Sequence, residues 1–211
     1  MEPGKLLFCA QRLQAIAQAG IEYATTAYDL ERYQEVRTLS ARVLEELTDE
    51  PYEKIIRVFA SETGYQTPKV DIRAVLFRGA DQILLVKEKV DQGRWTLPGG
   101  WADVGYTPFE VAVKEAQEET GLIVRPVRLL ALLDKREHSH PRQPWYVYKA
   151  FILCEAQGGE LMQETMETAG AHWFRRDELS NLELSTDRIT QSQLTTLFRF
   201  AENPDLPALC D

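Results

Sequence analysis

The chain has 211 residues, of which 44% are hydrophobic and 27% charged, and it carries a net charge of −9. This composition is ordinary for a globular enzyme that buries its own core. The negative charge argues against binding along a nucleic-acid backbone, which requires clustered lysine and arginine. An acidic protein can still hold an anionic substrate when divalent metal ions supply the positive charge.

The beginning of the chain does not have the pattern expected of a signal peptide or a membrane anchor. An amphipathic helical pattern follows Lys5, in place of an apolar block with a small-residue cleavage site. No stretch approaches the ~18 apolar residues of a membrane span. The three cysteines, at positions 9, 154 and 210, match no metal-ligand spacing and favour free thiols in a reducing compartment. We therefore expect a cytoplasmic protein that does not associate with membranes.

The first part of the chain has the spacing of amphipathic helices. One apolar stripe comprises Leu6, Cys9, Ala10, Leu13, Ile16 and Ala17. A second comprises Leu30, Tyr33, Val36, Ser40, Val43, Leu44 and Leu47, with Asp29 as its predicted N-cap. A third short helix is predicted over 52–59, and 61–69 is predicted to be a linker because it contains glycine and proline. The predicted division is a small all-helical domain at 1–66 and a second domain at 67–211.

The second part of the chain changes to the period of β-strands. Strands are predicted at 71–77, 83–89, 123–134, 145–154 and 172–174, with turns at 79–81 and 157–159. A glycine-rich loop at 97–105 leads into a helix at 108–120, and a closing helix is predicted at 187–200. Mixed strands with few helices favour an α/β sandwich over a doubly wound parallel sheet.

The helix after the glycine-rich loop carries the most informative pattern. Its start is specified by Thr107, Pro108 and Glu110, which form a capping box with proline at the first helical position. Its end is specified by Gly121, where a left-handed residue is required. The predicted buried stripe comprises Phe109, Ala112, Val113 and Ala116.

Three glutamates lie together on this helix. Glu115, Glu118 and Glu119 are at positions i, i+3 and i+4, so their carboxylates share one surface. Glutamates on a helix usually form a solvated face. A hard divalent cation would relieve the repulsion between them, and oxygen ligands suit Mg²⁺ or Mn²⁺. Such a cation neutralises phosphate oxygens and activates a water.

The fixed context of these glutamates resembles a known motif. Residues 100–122 resemble the Nudix box, G-x5-E-x7-R-E-U-x-E-E-x-G-U, where U is aliphatic. The matching positions are Gly100, Glu115, Glu118, Glu119, Gly121 and Leu122, with Ala116 as a small apolar residue at a U position. The resemblance implies a Nudix α/β/α sandwich with a mixed sheet. It also implies metal ligation by the three glutamates and by a carbonyl of Gly99 or Gly100.

Two positions depart from the box. Tyr106 stands where the family has glutamate, and Lys114 stands where it has arginine. In the family these two side chains commonly form an ion pair that braces the metal loop. We expect Glu110, with Glu118 as a second partner, to hold Lys114 instead, since each is four residues away. Tyr106 would then pack on Val111 as a hydrophobic staple.

The resemblance extends over nearly the whole chain, although only the box is highly specific. The segments 12–17, 28–33, 134–138, 164–167 and 184–188 resemble a bacterial Nudix subfamily with an N-terminal helical domain. Members are described as ADP-ribose or CDP-choline pyrophosphatases, which implies a homodimer whose interface includes the N-terminal helices. Packing of those helices on their own catalytic domain is a comparable interpretation.

Residues outside the box are weaker candidates. The family often carries a further catalytic carboxylate on a late loop, and Glu164 and Glu167 lie in such a loop. Arg73 could contact phosphate, although a surface ion pair is the simpler interpretation. His138 could grip substrate or be an ordinary loop residue. Trp101 could stack on a base or simply pack.

The first functional hypothesis is hydrolysis of a nucleoside diphosphate linked to another group, giving a nucleoside monophosphate and a phosphorylated partner. A second is a nucleotide-sensing regulator without catalysis. It is disfavoured because residues 1–66 hold 7 Lys and Arg against 11 Asp and Glu, which makes binding of nucleic acid unfavourable. A third is a Nudix hydrolase of nucleoside triphosphates or RNA ends. The box holds only phosphates and does not discriminate among these substrates.

Overall fold

A computed structural model describes residues 2–60 and 62–211. Met1 and Ser61, the first residue of the predicted linker, lie outside the described residues. The chain divides into two compact units, Met1–Pro68 with Arg142–Tyr146 and Lys69–Pro141 with Val147–Asp211. The division into domains at residue 66 stays a prediction, because compactness alone does not show which part folds independently.

The described part of the first unit contains three helices, α1 (Pro3–Tyr23), α2 (Ala27–Leu47) and α3 (Tyr52–Ala60). The start of α2 differs from the prediction. Thr26 is the N-cap, and its hydroxyl accepts a hydrogen bond from the amide of Asp29 at 3.1 Å. The N-cap assignment of Asp29 is therefore wrong, since threonine three residues earlier satisfies the free amides first.

The predicted apolar stripe of α1 is split in the structure. The core of this unit consists of Leu7, Ala10, Ala41, Leu44, Ile55 and Phe59. Ala17 is also buried, whereas Leu6, Leu13 and Ile16 are exposed. The buried face of α1 instead includes Gln14 and Gln18. Helix α1 therefore buries Leu7 in the core of its own unit and leaves Leu6, Leu13 and Ile16 outside it.

The second unit is built on a mixed sheet. Its eight strands are β1 (Lys69–Arg78), β2 (Gln82–Glu88), β3 (Arg94–Thr96), β4 (Gly99–Trp101), β5 (Leu122–Asp134), β6 (Val147–Gly159), β7 (Thr168–Arg175) and β8 (Leu209–Cys210). The central path runs β3-β2-β1-β6-β5-β8, with β4 paired to β1 and β7 paired to β2. The pairs β1–β6 and β5–β8 are parallel, and the other pairs are antiparallel.

One helix covers each face of this sheet. Helix α4 (Pro108–Thr120) packs over one face, with a core that includes Ile72, Ala74, Leu84, Ala112, Ala116 and Ile152. Helix α5 (Gln191–Glu202) packs over the other, with a core that includes Val75, Leu85, Leu97, Phe151, Leu194 and Phe198. Alternate residues of β1 enter opposite cores, as strand geometry requires. The predicted α/β/α sandwich with a mixed sheet, preceded by helices, is confirmed.

Several element boundaries differ from the prediction. Strand β6 runs through 157–159, where the sequence predicts a turn, because β5 pairs with it as far as Gly159. Helix α5 begins later than 187, since Thr190 is its N-cap. The glycine-rich loop contains β4, which pairs with β1. Among the described residues, no helix combines the length and apolar character needed to span a membrane.

Candidate active site

Helix α4 has the predicted start and end. The Glu110 amide donates to the Thr107 hydroxyl at 3.3 Å, and the Thr107 amide donates to the Glu110 carboxylate at 2.8 Å. Both bonds of the capping box are present. Gly121 ends the helix with a φ of 80°, in the left-handed region. These local signals fix where the glutamates fall on the helix.

The buried stripe of α4 is shifted from its prediction. Val111, Ala112 and Ala116 are buried against the sheet, while Phe109 is 38% exposed. The assignment of Phe109 to the core is wrong, because Val111 occupies the sheet-facing position in the first turn. Tyr106 is 52% exposed and does not belong to the core around Val111, which gives the predicted staple no support.

Glu115, Glu119 and Glu167 converge at one point. Each offers a carboxylate oxygen, and these three atoms all lie within 4.8 Å of one another. Glu115 and Glu119 are buried on α4, and Glu167 is exposed on the loop between β6 and β7. Among the described residues Glu118 is not in this group, although it lies one residue before Glu119. Its carboxylate lies 3.5 Å from the Lys114 ammonium.

The Gly99–Gly100 pair lets the loop approach both buried acids. The Gly99 amide donates to Glu119 Oε2 at 3.0 Å. A Cβ on Gly99, at φ +149°, would lie 2.0 Å from the Ile72 carbonyl oxygen, and one on Gly100 would lie 3.0 Å from Glu115 Oε1. Only glycine permits this close approach at Gly99.

The electrostatics of the two buried acids suit a hard divalent cation. Burial, together with the nearby carboxylates of Glu115 and Glu88, raises the pKa of Glu119 to about 8, against the lowering effects of Arg73 and the Gly99 amide. Burial also raises the pKa of Glu115, against the effect of Lys114. A cation would favour the ionised forms of both acids. An all-oxygen donor set fits Mg²⁺ or Mn²⁺ better than a softer metal.

Lys114 is held differently from the prediction. Its ammonium lies 3.5 Å from Glu115, 3.5 Å from Glu118 and 3.6 Å from Asp103. The Glu118 contact is confirmed, but Glu110 is wrong as a partner because its carboxylate closes the capping box. Asp103 lies in the glycine-rich loop, so the contact with Lys114 joins that loop to α4. The acidic partner of the basic residue on α4, which the family has at position 106, is thus Asp103 in this protein.

Arg73 lies beneath the loop in a buried ion pair. Its guanidinium is 2.7 Å from Asp71, and it donates to the Leu97 carbonyl at 3.1 Å. Lys149, also buried, bonds to the same Asp71. Although burial opposes it, the two cations hold the pKa of Asp71 well below its usual range. The ion pair predicted at the surface is therefore buried, and Arg73 contacts the glycine-rich loop at the Leu97 carbonyl.

The remaining residues predicted from the sequence, Glu164, His138 and Trp101, do not belong to the acidic group. Glu164 is 71% exposed at its side chain and pairs with Lys89 at 2.7 Å. His138 Nε2 lies 2.9 Å from a carboxylate oxygen of Asp211. Trp101, on β4, is 50% exposed. Of the two late-loop glutamates, the structure brings Glu167 to the acidic group.

Sequence reasoning missed three residues around the site. Asp103 pairs with Lys114, Lys89 contacts the loop of Glu167, and the Thr168 hydroxyl donates to the Glu119 carbonyl at 2.9 Å. None of them belongs to a spaced motif. The one available signal was the acid at position 103. Because Tyr106 replaces the glutamate that pairs with the basic residue of α4 in the family, another acid of the loop was needed to pair with Lys114.

Known proteins share both the sequence pattern and the fold. Residues 67–197 match the NUDIX domain, and residues 4–59 match the UDP-X-like, N-terminal oligomerisation domain. The chain belongs to the Nudix family. The predictions of this family, with its N-terminal helical domain, and of a Nudix pyrophosphohydrolase are both confirmed.

Three relatives show how far the similarity extends. A putative ADP-ribose pyrophosphatase of Bacillus subtilis, YjhB, is 44% identical and covers 98% of this chain and 97% of its own length. A crystal structure of a UDP-X diphosphatase covers 100% of both chains at 30% identity and a TM-score of 0.61. A Streptococcus suis ADP-ribose pyrophosphatase structure is 38% identical, with a TM-score of 0.61, over 69% of this chain and 100% of that one.

Proposed function

We propose that this protein hydrolyses the diphosphate linkage of a nucleoside diphosphate derivative, of the ADP-ribose or CDP-choline type, with Mg²⁺ or Mn²⁺. The observation that carries the proposal is the convergence of Glu115, Glu119 and Glu167 within 4.8 Å beside the Gly99–Gly100 loop. Oxygen-rich groups of this kind hold divalent cations that bind phosphates. The names of the Bacillus and Streptococcus relatives support ADP-ribose as the first substrate to test.

Each residue has a role in the proposed reaction. The three acids, with a carbonyl of Gly99 or Gly100, would hold the cation, and Glu118 could hold a further ion at the exposed edge. When bound, the cation neutralises phosphate oxygens and lowers the pKa of a water. Glu167 is the exposed member of the group, and its carboxylate oxygen that does not hold the cation would accept the proton of the attacking water. The new P–O bond forms as the bridging P–O bond breaks, giving a nucleoside monophosphate and a phosphorylated partner.

A substrate panel tests this proposal. Purified protein with Mg²⁺ or Mn²⁺ is given ADP-ribose, CDP-choline, a UDP-sugar, NADH and 8-oxo-dGTP, and nucleoside monophosphate release is measured. We expect a nucleoside diphosphate derivative to have the highest kcat/KM and EDTA to abolish the activity. Preference for 8-oxo-dGTP would replace the proposal with triphosphate hydrolysis. Absence of turnover across the panel would contradict it.

We propose in addition that the helical unit forms a homodimer. Leu6, Phe8, Leu13 and Ile16 of α1 are exposed apolar side chains, and an apolar stripe of this kind is typical of an interface. The match to an oligomerisation domain supports the same conclusion. A Leu13→Glu, Ile16→Glu variant should elute as a monomer in size-exclusion chromatography with light scattering. A variant that stays dimeric would place the interface elsewhere.

A further inference from the structure

The loop that carries Glu167 is a compact turn outside regular structure. The Thr165 amide donates to the Thr168 carbonyl at 2.9 Å, and the Thr168 amide donates to the Thr165 hydroxyl at 3.0 Å. The Glu167 amide also donates to the Thr165 hydroxyl, at 3.2 Å. These bonds give the turn its shape, but each lies within the turn. These internal bonds do not fix the turn relative to α4. At its C-terminal end the Thr168 hydroxyl does so, since it donates to the Glu119 carbonyl at 2.9 Å.

Lys89 contacts this turn from the end of β2. Its backbone amide donates to the Glu167 carbonyl at 3.1 Å. Its ammonium donates to the Thr165 carbonyl at 2.5 Å and lies 2.7 Å from a carboxylate oxygen of Glu164. Lys89 therefore contacts the residues on both sides of Met166 as well as Glu164.

The position of Lys89 is fixed by the sheet. Strand β2 pairs with β7, and Glu88 opposite Thr168 is the last pair before Lys89. A short 3₁₀ turn, Lys89–Asp91, follows directly. The backbone of Lys89 is thus anchored to the core, and its side chain extends along the turn. An anchored donor can hold a loop more firmly than one on another loop.

The contacts of Lys89 differ in strength. The Glu164 carboxylate is 71% exposed, and an exposed ion pair contributes little. The bond from the ammonium to the Thr165 carbonyl is charge-assisted and stronger than a neutral one. The backbone bond to Glu167 adds to it. Lys89 therefore holds the turn mainly through carbonyl groups, and the pair with Glu164 is secondary.

We propose that Lys89 is a positioning residue that holds the Glu167 carboxylate against Glu115 and Glu119. The inference rests on the proposed metal site, in which those three acids bind the cation. Lys89 has no role in the Nudix box, and it lies 78 residues from Glu167 in the chain. Without the Lys89 side chain, the turn would keep the Thr168 bond to Glu119 and the backbone bond from Lys89 to Glu167, but it would lose its attachment at Thr165, two residues before Glu167.

Mn²⁺ binding measures this role without turnover. Replacing Lys89 by methionine removes a positive charge near an acidic site, which by electrostatics alone would strengthen cation binding. Loss of positioning weakens it instead, on the order of 10-fold for a group that orients a metal ligand. The two effects have opposite signs. The matched control is Lys87→Met, two residues earlier on β2, whose ammonium lies over the Trp95 ring at 5.8 Å.

A double-mutant cycle tests whether Lys89 acts through Glu167. We expect Lys89→Met to weaken the Mn²⁺ Kd about 10-fold in the native protein and less than twofold in a Glu167→Gln background. The Lys87→Met variant should not weaken the Kd in either background. A Lys89→Arg variant, which keeps a charged donor, should recover at least half of the loss on a logarithmic scale. An equal loss with and without the Glu167 carboxylate would overturn the proposal.

Hydrogen exchange of the metal-free protein gives an independent readout. The amides of Thr165 and Thr168 should exchange at least about fivefold faster in Lys89→Met, because a released turn opens more often. Native exchange rates, or a native Mn²⁺ Kd, in that variant would each overturn the inference. If Glu119→Gln also left Mn²⁺ binding unchanged, the proposed metal site itself would fail. A loss in Glu119→Gln without a loss in Lys89→Met would refute the positioning role alone.

Discussion

The two glutamates of α4 and the glutamate of the late loop reach the same point by different means. Glu115 and Glu119 are placed by a helix whose start and end are specified locally, and both are buried. Glu167 is exposed on a short turn, and residues from β2 and β7 hold that turn in place. The comparison teaches that one acidic site can join an α4 half, which a local sequence motif encodes, to a loop half, which depends on contacts between residues distant in the chain.

The largest expected effect is in the α4 half of the site, which consists of Glu115 and Glu119. Glu119→Gln keeps the size of the side chain and removes the charge that would bind the cation. We expect kcat/KM to fall at least ~10²-fold, because the carboxylate that would bind the cation is lost and the hydrogen bond from the Gly99 amide to residue 119 is weakened. Steady-state kinetics on ADP-ribose would measure it. Glu155→Gln, which neutralises an exposed carboxylate paired with Arg125, is the control and should stay within twofold. A fully active Glu119→Gln enzyme would refute the assignment.

Gly99→Ala tests the close approach of the loop to this half. The new methyl group would lie 2.0 Å from the Ile72 carbonyl, so the loop or β1 must move. We expect a loss of about 2 kcal/mol or more in the free energy of unfolding, measured by urea denaturation. Gly105→Ala is the matched control, because Gly105 also has a positive φ, +95°, but nothing lies within 4 Å of its added methyl group. Equal losses in the two variants would show that backbone strain, and not contact, is responsible.

A pH series distinguishes the buried half from the exposed one. The pKa of Glu119 is raised to about 8, so the folded metal-free protein holds a proton that the unfolded chain has released above about pH 4.5. Its stability should therefore fall as pH rises from about 4.5 to 8, by the linkage between proton binding and folding. Thermal melts in EDTA would measure it. The fall should shrink in Glu119→Gln and on addition of Mn²⁺, and a Glu119→Gln slope equal to the native slope would contradict the cause.

The smallest effect concerns the brace between loop and helix. Asp103→Asn removes one of three carboxylates around Lys114, at a contact of 3.6 Å with substantial exposure. Exposed ion pairs contribute up to about 1 kcal/mol, so we expect a threefold loss in kcat/KM. Addition of Tyr106→Glu should restore activity if the brace can return to its usual position in the family. Full activity of Asp103→Asn would show that Glu115 and Glu118 are sufficient partners for Lys114.

The errors of the sequence interpretation fall where burial is decided between elements. Phe109 has the spacing of a core residue, but the sheet meets α4 two positions further along and buries Val111. Leu13 and Ile16 have the spacing of a core stripe, but the unit buries a face of α1 that shares only Ala10 and Ala17 with that stripe. A helical period shows that a face is apolar without showing what covers it. The same limit applied to Arg73, whose buried partner Asp71 is two residues away on the same strand.

The sequence by itself determined the class of protein and the α4 half of its candidate site. The capping residues Thr107 and Glu110, the terminal Gly121 and the glutamates between them are local signals, and each acts within about four turns of one helix. Only the tertiary structure decided the other half. It selected Glu167 over Glu164, placed Asp103 opposite Lys114 and brought Lys89 to the turn. The physical reason is that these contacts join segments far apart in the chain, and no spacing along a sequence encodes which segments will meet.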